Sequence, residues 1–436
     1  MTSALRRNSG RLRRLQRAKI STAVAALIVS GCTAVDPSPN PSGYANTSDL
    51  GNRGAAFVGS AACTQCHGEI AEAQALHSHA HALSPIAGSA PVFPAAAQGA
   101  GVPNPPDGLD WGDISYVIDG YAKRALFLDQ AGYILTSGAN SVDTQWNLAI
   151  PANGTQAGFV PYRTDRMVND PFDYSDFVHF TTGAMRLSGT TGPKDNRPGI
   201  LGNWSEPGVQ CEACHGPGSA HYPADGANKA IDNSRIFVDP AGSRTCFACH
   251  SEPYGDKSGR IAARDGFIAP FSEGPQLKAS GGHSHFQCGY CHDPHRSTVY
   301  DLDKAISNQC TLCHSGKSMA GHEGKVFQRG SYREVLSCKS CHMPFATLNG
   351  TPATQTAVGP EGRMGNFRSH IFRINTEAVN YTTFLSDDGT EVRRDENGQA
   401  AVTVDFVCLR CHGGTGVFQL VVGSAAEIAK VLHQLP

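Results

Sequence analysis

The chain has 436 residues, with 36 Lys and Arg against 38 Asp and Glu and a formal charge of -2. That balance excludes the strongly basic face by which nucleic-acid binders hold phosphate. Of its 15 cysteines, fourteen fall in seven copies of Cys-x-x-Cys-His, and the one left over is Cys32.

At the N-terminus, Arg6, Arg7, Arg11, Arg13, Arg14, Arg17 and Lys19 come without any acid, and Ile20 to Gly31 is weakly polar to apolar. This is the pattern of a signal peptide, residues 1–31. The apolar run is about half of the ~20 residues that cross a bilayer as a permanent helix. Val29-Ser30-Gly31-Cys32 resembles a bacterial lipobox, which implies cleavage before Cys32 and lipidation of its thiol as a membrane anchor. The other processing in view is a plain secretory cut near Ala34 that discards Cys32. Thr33 is not the Asp that commonly retains lipoproteins in the inner membrane, so the expected location is the outer membrane, on its periplasmic or extracellular face. Residues 32–55, rich in Pro, Gly, Ser, Asn and Asp, read as a flexible tether.

Residues 56–83 carry the first pentapeptide, with Cys63, Cys66 and His67. Two thiols three positions apart can add to the two vinyl groups of one porphyrin, and the following His then lies under the iron as its proximal ligand. One Cys-x-x-Cys alone reads equally as a zinc knuckle or a redox pair. Seven copies, each followed by His, read as seven covalent haem c sites. An Ala-rich helix is predicted from Glu69 to Leu83, presenting His77, His79 and His81.

Residues 84–201 hold no pentapeptide and read as a haem-free, β-containing insertion. Ile114–Ile118, Ala125–Leu128 and Tyr133–Thr136 are the predicted strands, with Asp129-Gln130-Ala131-Gly132 as a turn. Residues 202–345 then crowd in five pentapeptides: Cys211, Cys214 and His215; Cys246, Cys249 and His250; Cys288, Cys291 and His292; Cys310, Cys313 and His314; Cys338, Cys341 and His342. At that density a side-chain core cannot bury the porphyrins, so the haems are expected to be the core. Residues 346–436 read as a β-containing tail with strands at Tyr381–Leu385 and Val402–Phe406, the last pentapeptide (Cys408, Cys411 and His412), and a capping box Ser424-Ala425-Ala426-Glu427 opening a C-terminal helix. The expected fold class is a multihaem c-type cytochrome of mostly short helices and loops wrapped around closely packed haems.

A second imidazole on each iron makes an electron carrier, whereas an open sixth position permits catalysis. Eleven histidines lie outside the pentapeptides. His79 from its cluster, either His283 or His285, and His179, His221, His295, His322 and His370 supply one distal ligand for every iron. His433, near the terminus, is expected at the surface.

The run Cys211 to His221, with Gly216-Pro217-Gly218-Ser219-Ala220 between its two histidines, resembles the haem motif of the multihaem cytochrome c superfamily. That superfamily includes the tetrahaem nitrification cytochromes, octahaem tetrathionate reductase, hydroxylamine oxidoreductase and pentahaem nitrite reductase. His292-Asp293-Pro294-His295 and His342-Met343-Pro344 are similar to its other forms. The resemblance spans roughly 208–344 and implies close haem packing, bis-histidine pairs and bacterial export. The nitrite reductases' Cys-x-x-Cys-Lys is absent. The expectation is a lipid-anchored electron carrier rather than an enzyme, passing electrons to redox partner proteins or an extracellular acceptor. The alternatives are a multihaem reductase or oxidase with one open iron, acting on a small nitrogen or sulfur compound, and a subunit of a cytochrome filament or outer-membrane conduit.

Overall fold

The architecture follows from the pentapeptides and from what separates them. In the computed structural model, the described residues are 46–222, 231–239, 243–251, 259–352, 357–359, 361–414 and 418–434. They belong to one unit running from Ala34 to the C-terminus. The predicted signal peptide, the lipidation site Cys32 and the first part of the tether lie outside them. Among them no helix is long and apolar enough to cross a membrane.

Each pentapeptide forms one short helical turn: Ser60–Thr64 (α1), Cys211–His215, Ser243–His250, Cys288–Cys291, Cys310–Cys313 and Cys338–His342. Cysteines three apart on a helix share a face, which is the arrangement a porphyrin edge requires. The seventh differs, because Asp405–Leu409 is π-helical and runs into an α-turn at Arg410–His412. Gly216 ends the second helix at φ +70, where a side chain would overlap the Leu50 carbonyl. Asn52 closes the same corner, its amide donating to the carbonyls of His215 and Pro217 at 2.9 and 2.8 Å. The last part of the predicted tether is therefore packed in place, since Asn52 is fully buried.

The predicted helix 69–83 is shorter than expected. Gly68–Gln74 (α2) is followed by a 3-10 turn at Ser78–His81 and by strand Leu83–Pro85 (β1). His77 breaks the helix, because its Nδ1 accepts from the His79 backbone N–H at 3.1 Å.

Residues 84–201 contain the predicted strands and more. Ile114–Asp119 (β2), Arg124–Asp129 (β3) and Tyr133–Ile134 (β4) continue β1 into an antiparallel sheet, with Gln145–Asn147 (β5), Gly158–Val160 (β6) and Asp170–Pro171 (β7). The order is β1-β2-β3-β4-β7, with β5 on β3 and β6 on β5. Alternate residues point to opposite faces. Tyr116, Ile118, Leu126 and Leu128 pack with Phe172, Phe177 and Trp204 on one side. Val117, Ala125 and Phe127 pack with Val102, Trp146 and Phe159 on the other.

The tail departs from expectation twice. Tyr381–Phe384 is a 3-10 turn rather than a strand, because the Asn380 side chain accepts from Thr382 N–H and Asp405 takes the Tyr381 N–H. Val402–Phe406 is strand only at Val402–Thr403, paired in parallel with Ile374–Asn375. The C-terminal helix, Val422–Val431, opens two residues before Ser424. Ser424 is its third residue, and its hydroxyl accepts from the Val421 N–H at 3.1 Å.

Candidate functional site

Histidine rings face one another in pairs. An imidazole ligates a metal at ~2 Å through nitrogen, and its ring centre lies ~1 Å further back, so two imidazoles sharing one metal have centres ~6 Å apart. His79 lies 6.1 Å from His250, and His295 6.1 Å from His215. His370 lies 6.2 Å from His292, and His283 5.8 Å from His314. His322 lies 6.0 Å from His412, and His433 5.7 Å from His342. Every pentapeptide histidine from the second to the seventh thus faces one histidine from elsewhere in the chain. Among the described residues no group of three His, Cys, Asp or Glu converges on a metal position. A haem iron takes four ligands from its porphyrin, so two facing imidazoles complete it.

The outer nitrogens are held where a ligand needs them held. Nδ1 of His215, His342 and His412 meets the carbonyls of Phe237, Phe372 and Phe418 at 2.9, 2.9 and 3.0 Å. Nδ1 of the facing His322 and His433 meets those of Met319 and Ser318 at 2.9 and 2.8 Å. Each ring is thereby fixed in the tautomer that leaves Nε2 with its lone pair. His250 differs, with Nδ1 3.0 Å from Glu273 Oε2. Burial pulls the His250 imidazole down, but the Glu273 hydrogen bond and charge outweigh it and leave its pKa raised. Burial holds His79 well below the ordinary histidine range and His370 at about 4, so both are neutral, the form that binds metal.

Most of the predicted distal residues are in these pairs. Of His283 and His285, left open by the sequence, it is His283 that faces a pentapeptide histidine, and it also stacks on Phe372 at 4.7 Å. His285 lies against Phe286 at 4.3 Å. His179 is not brought opposite a pentapeptide histidine: it stacks on Phe271 at 4.9 Å and its Nδ1 meets the Ser175 carbonyl at 3.0 Å. His433 is exposed, as expected, and its ring also faces His342, because the C-terminal helix and the turn after it return the chain there. In the first cluster, His81 spends Nε2 on the Ala75 carbonyl at 2.8 Å and stacks near Tyr121, while His77 lies on His79 at 4.4 Å. His221 holds its Nδ1 3.1 Å from the Asp232 carbonyl. The next residue, Tyr222, donates to the Gln65 side chain inside the first pentapeptide at 3.0 Å.

The pentapeptides also follow one another in space as they do in sequence. The Cys63 side chain lies beside that of Cys211, Cys246 beside Cys288, and Cys310 beside Cys338. Between these pairs, Cys214 lies within electrostatic reach of Cys249, Cys291 of Cys310, and Cys341 of both Cys408 and Cys411. Each attachment turn therefore abuts the next, from first to seventh.

The fold is that of a multihaem c-type cytochrome: short helices and loops with small β-sheet insertions. It is similar to the octaheme sulfite reductase MccA of Wolinella succinogenes, with a TM-score of 0.52 and 16% identity over 88% of this chain and 72% of that one. Looser likenesses are to the outer cell wall cytochrome OcwA (TM-score 0.40, 17% identity, 77% of this chain and 82% of that one) and to an undecaheme cytochrome from the S-layer of Carboxydothermus ferrireducens (0.39, 17%, 89% and 61%). No family model and no curated protein matches the sequence.

Proposed function

We propose that this chain is an exported seven-haem c-type cytochrome that carries electrons and makes or breaks no bonds in a substrate. Haem iron supplies one-electron exchange between its ferric and ferrous states. The chain's own residues fasten, orient and insulate it. The fourteen pentapeptide cysteines hold the porphyrins, and their histidines are the proximal ligands. The distal ligands are His295, His79, His370, His283, His433 and His322 for the second to seventh sites in order. For the first site the ligand is His221, which Tyr222 tethers beside Gln65. Lipid attachment at Cys32 and an outer-membrane location belong to the same reading.

The observation that carries it is the set of six imidazole pairs with ring centres 5.7–6.2 Å apart. The sulfite reductase among the similar folds invites a catalytic alternative, but catalysis needs an iron with a face clear of imidazole, and these pairs cover six of the seven. The test is the mass of the mature protein together with low-temperature electron paramagnetic resonance of its oxidised form. Seven haems and low-spin signals alone are expected. A high-spin signal in the native protein would hand the first site to the reductase reading. The mature N-terminus, read by peptide mass, shows whether Cys32 is lipidated.

A further inference from the structure

The buried and half-buried charges among the pentapeptides are unevenly distributed. At the N-terminal end they are carboxylates. Glu212, inside the second pentapeptide, is 3% exposed. It accepts from the backbone N–H groups of Val58, Gly59 and Gly218 at 2.7–3.2 Å, the acceptor-only role of a carboxylate. Glu206 accepts from the N–H and hydroxyl of Ser60, just ahead of Cys63, at 2.9–3.1 Å. Half-buried Glu273 lies on His250, and half-buried Asp293, which Arg296 also pairs at 3.4 Å, has Oδ1 3.4 Å from Nδ1 of His295, the ring that faces His215.

At the C-terminal end Arg410 and the half-buried Arg368 and Arg329 outnumber two buried carboxylates, Glu334 and Asp405, the latter just ahead of Cys408. Arg410, inside the seventh pentapeptide, is 1% exposed. It pairs with Glu334 at 2.7 Å and donates to the Ser340 carbonyl inside the sixth pentapeptide at 2.5 Å. Arg368 pairs with the same Glu334 at 2.7 Å and donates to the carbonyls of Lys339 and Met343 at 3.1 and 2.9 Å. Two guanidinium groups thus share one carboxylate, and Arg329 donates to the Arg410 carbonyl beside them. Exposed charges, such as Lys278 over Phe247 at 5.7 Å, are screened by water. Buried ones act through a lower dielectric and at longer range.

A buried cation favours an added electron and a buried carboxylate opposes it. A carboxylate on the outer nitrogen of a ligating imidazole also makes that ligand more basic, which favours the oxidised metal. We propose that this asymmetry orders the reduction potentials along the chain, low at the first three sites and high at the sixth and seventh, so that electrons run from the N-terminal to the C-terminal end. The inference rests on the seven-haem reading. A one-electron protein donor is oxidised at the first end, a one-electron acceptor is reduced at the other, and no proton or bond changes.

The test is a redox titration of the intact haem-loaded protein, followed by nuclear magnetic resonance with signals assigned through contacts to pentapeptide side chains. The sites of His342 and His412 are expected to take electrons before those of His215 and His250. Glu212→Gln should raise, and Arg410→Gln lower, the potential of its own site, each by about tenfold in the one-electron equilibrium or ~59 mV. Arg410→Lys, which keeps the charge, should restore most of the loss. The wild-type titration needs no variant, so the reverse order or no order overturns the proposal even where Arg410→Gln fails to fold. A mass short of seven haems overturns the underlying reading instead.

Discussion

The sheet of residues 84–201 and the five-pentapeptide block after it stabilise themselves in different ways. In the sheet, β2 and β3 bury side chains on both faces: Ile114, Tyr116, Val117 and Ile118 from one, Ala125, Leu126, Phe127 and Leu128 from the other. In the block, the buried hydrophobic residue described between Trp204 and Ile261 is Phe237, and between Ala279 and Tyr332 it is Ala305. The sheet is held by side-chain packing; in the block Ile261, Ala263, Phe267, Ile268 and Ala279 pack with the tail, while the pentapeptides themselves are set apart by facing imidazoles and abutting turns. Side-chain packing and facing imidazoles thus mark different stretches of one chain, each vulnerable to a different kind of change.

The largest effect that separates them is expected from Phe127→Ala, which empties a fully buried position in the sheet. The cost should be about 3–5 kcal/mol, seen as an early thermal transition in near-ultraviolet circular dichroism. The visible haem spectrum is expected to hold through that transition, and its collapse at the same temperature would show that the two stretches unfold as one. The block's counterpart is His433→Ala. It removes the ring facing His342 and should convert one site to a high-spin signal while leaving the sheet's melting unchanged.

A smaller effect concerns pH. Burial, with help from Asp173, pushes the Asp176 carboxyl up from its ordinary 3.8 to about 6. A folded-state value above the unfolded one contributes stability that is fully present below pH 3.8 and is lost as pH rises through 6. Asp176→Asn should therefore stabilise the sheet region by about 2 kcal/mol at pH 8 and leave it unchanged below pH 3.8, by urea melts at the two pH values. The smallest effect belongs to His179→Ala, which should leave every low-spin signal in place. A new high-spin signal there would return His179 to the ligand set.

The contrast also explains what could be read from the sequence. The pentapeptides were legible because their chemistry is local, three positions and one helical turn. The strands of β2 and β3 were legible because apolar runs bounded by turn residues have few other uses. The imidazole pairs were not, since they join residues as far apart as His79 and His250, and spacing says nothing about such contacts. His433 is exposed, as its place near the end of the chain suggests, but that place carries no information about which ring a terminal helix brings it against. Tyr381–Phe384 was misread as strand because its aromatic and β-branched composition hid the Asn380 and Asp405 side chains that bind its backbone N–H groups.

The imidazole pairs also interleave: the ring opposite His215 follows the fourth pentapeptide, that opposite His292 follows the sixth, and that opposite His342 is three residues from the last amino acid. His215, His292 and His342 thus face rings from later in the chain, whereas His250, His314 and His412 face rings from earlier in it. A change at His295, His370 or His433 should therefore disturb the surroundings of a pentapeptide that lies well before it in the chain.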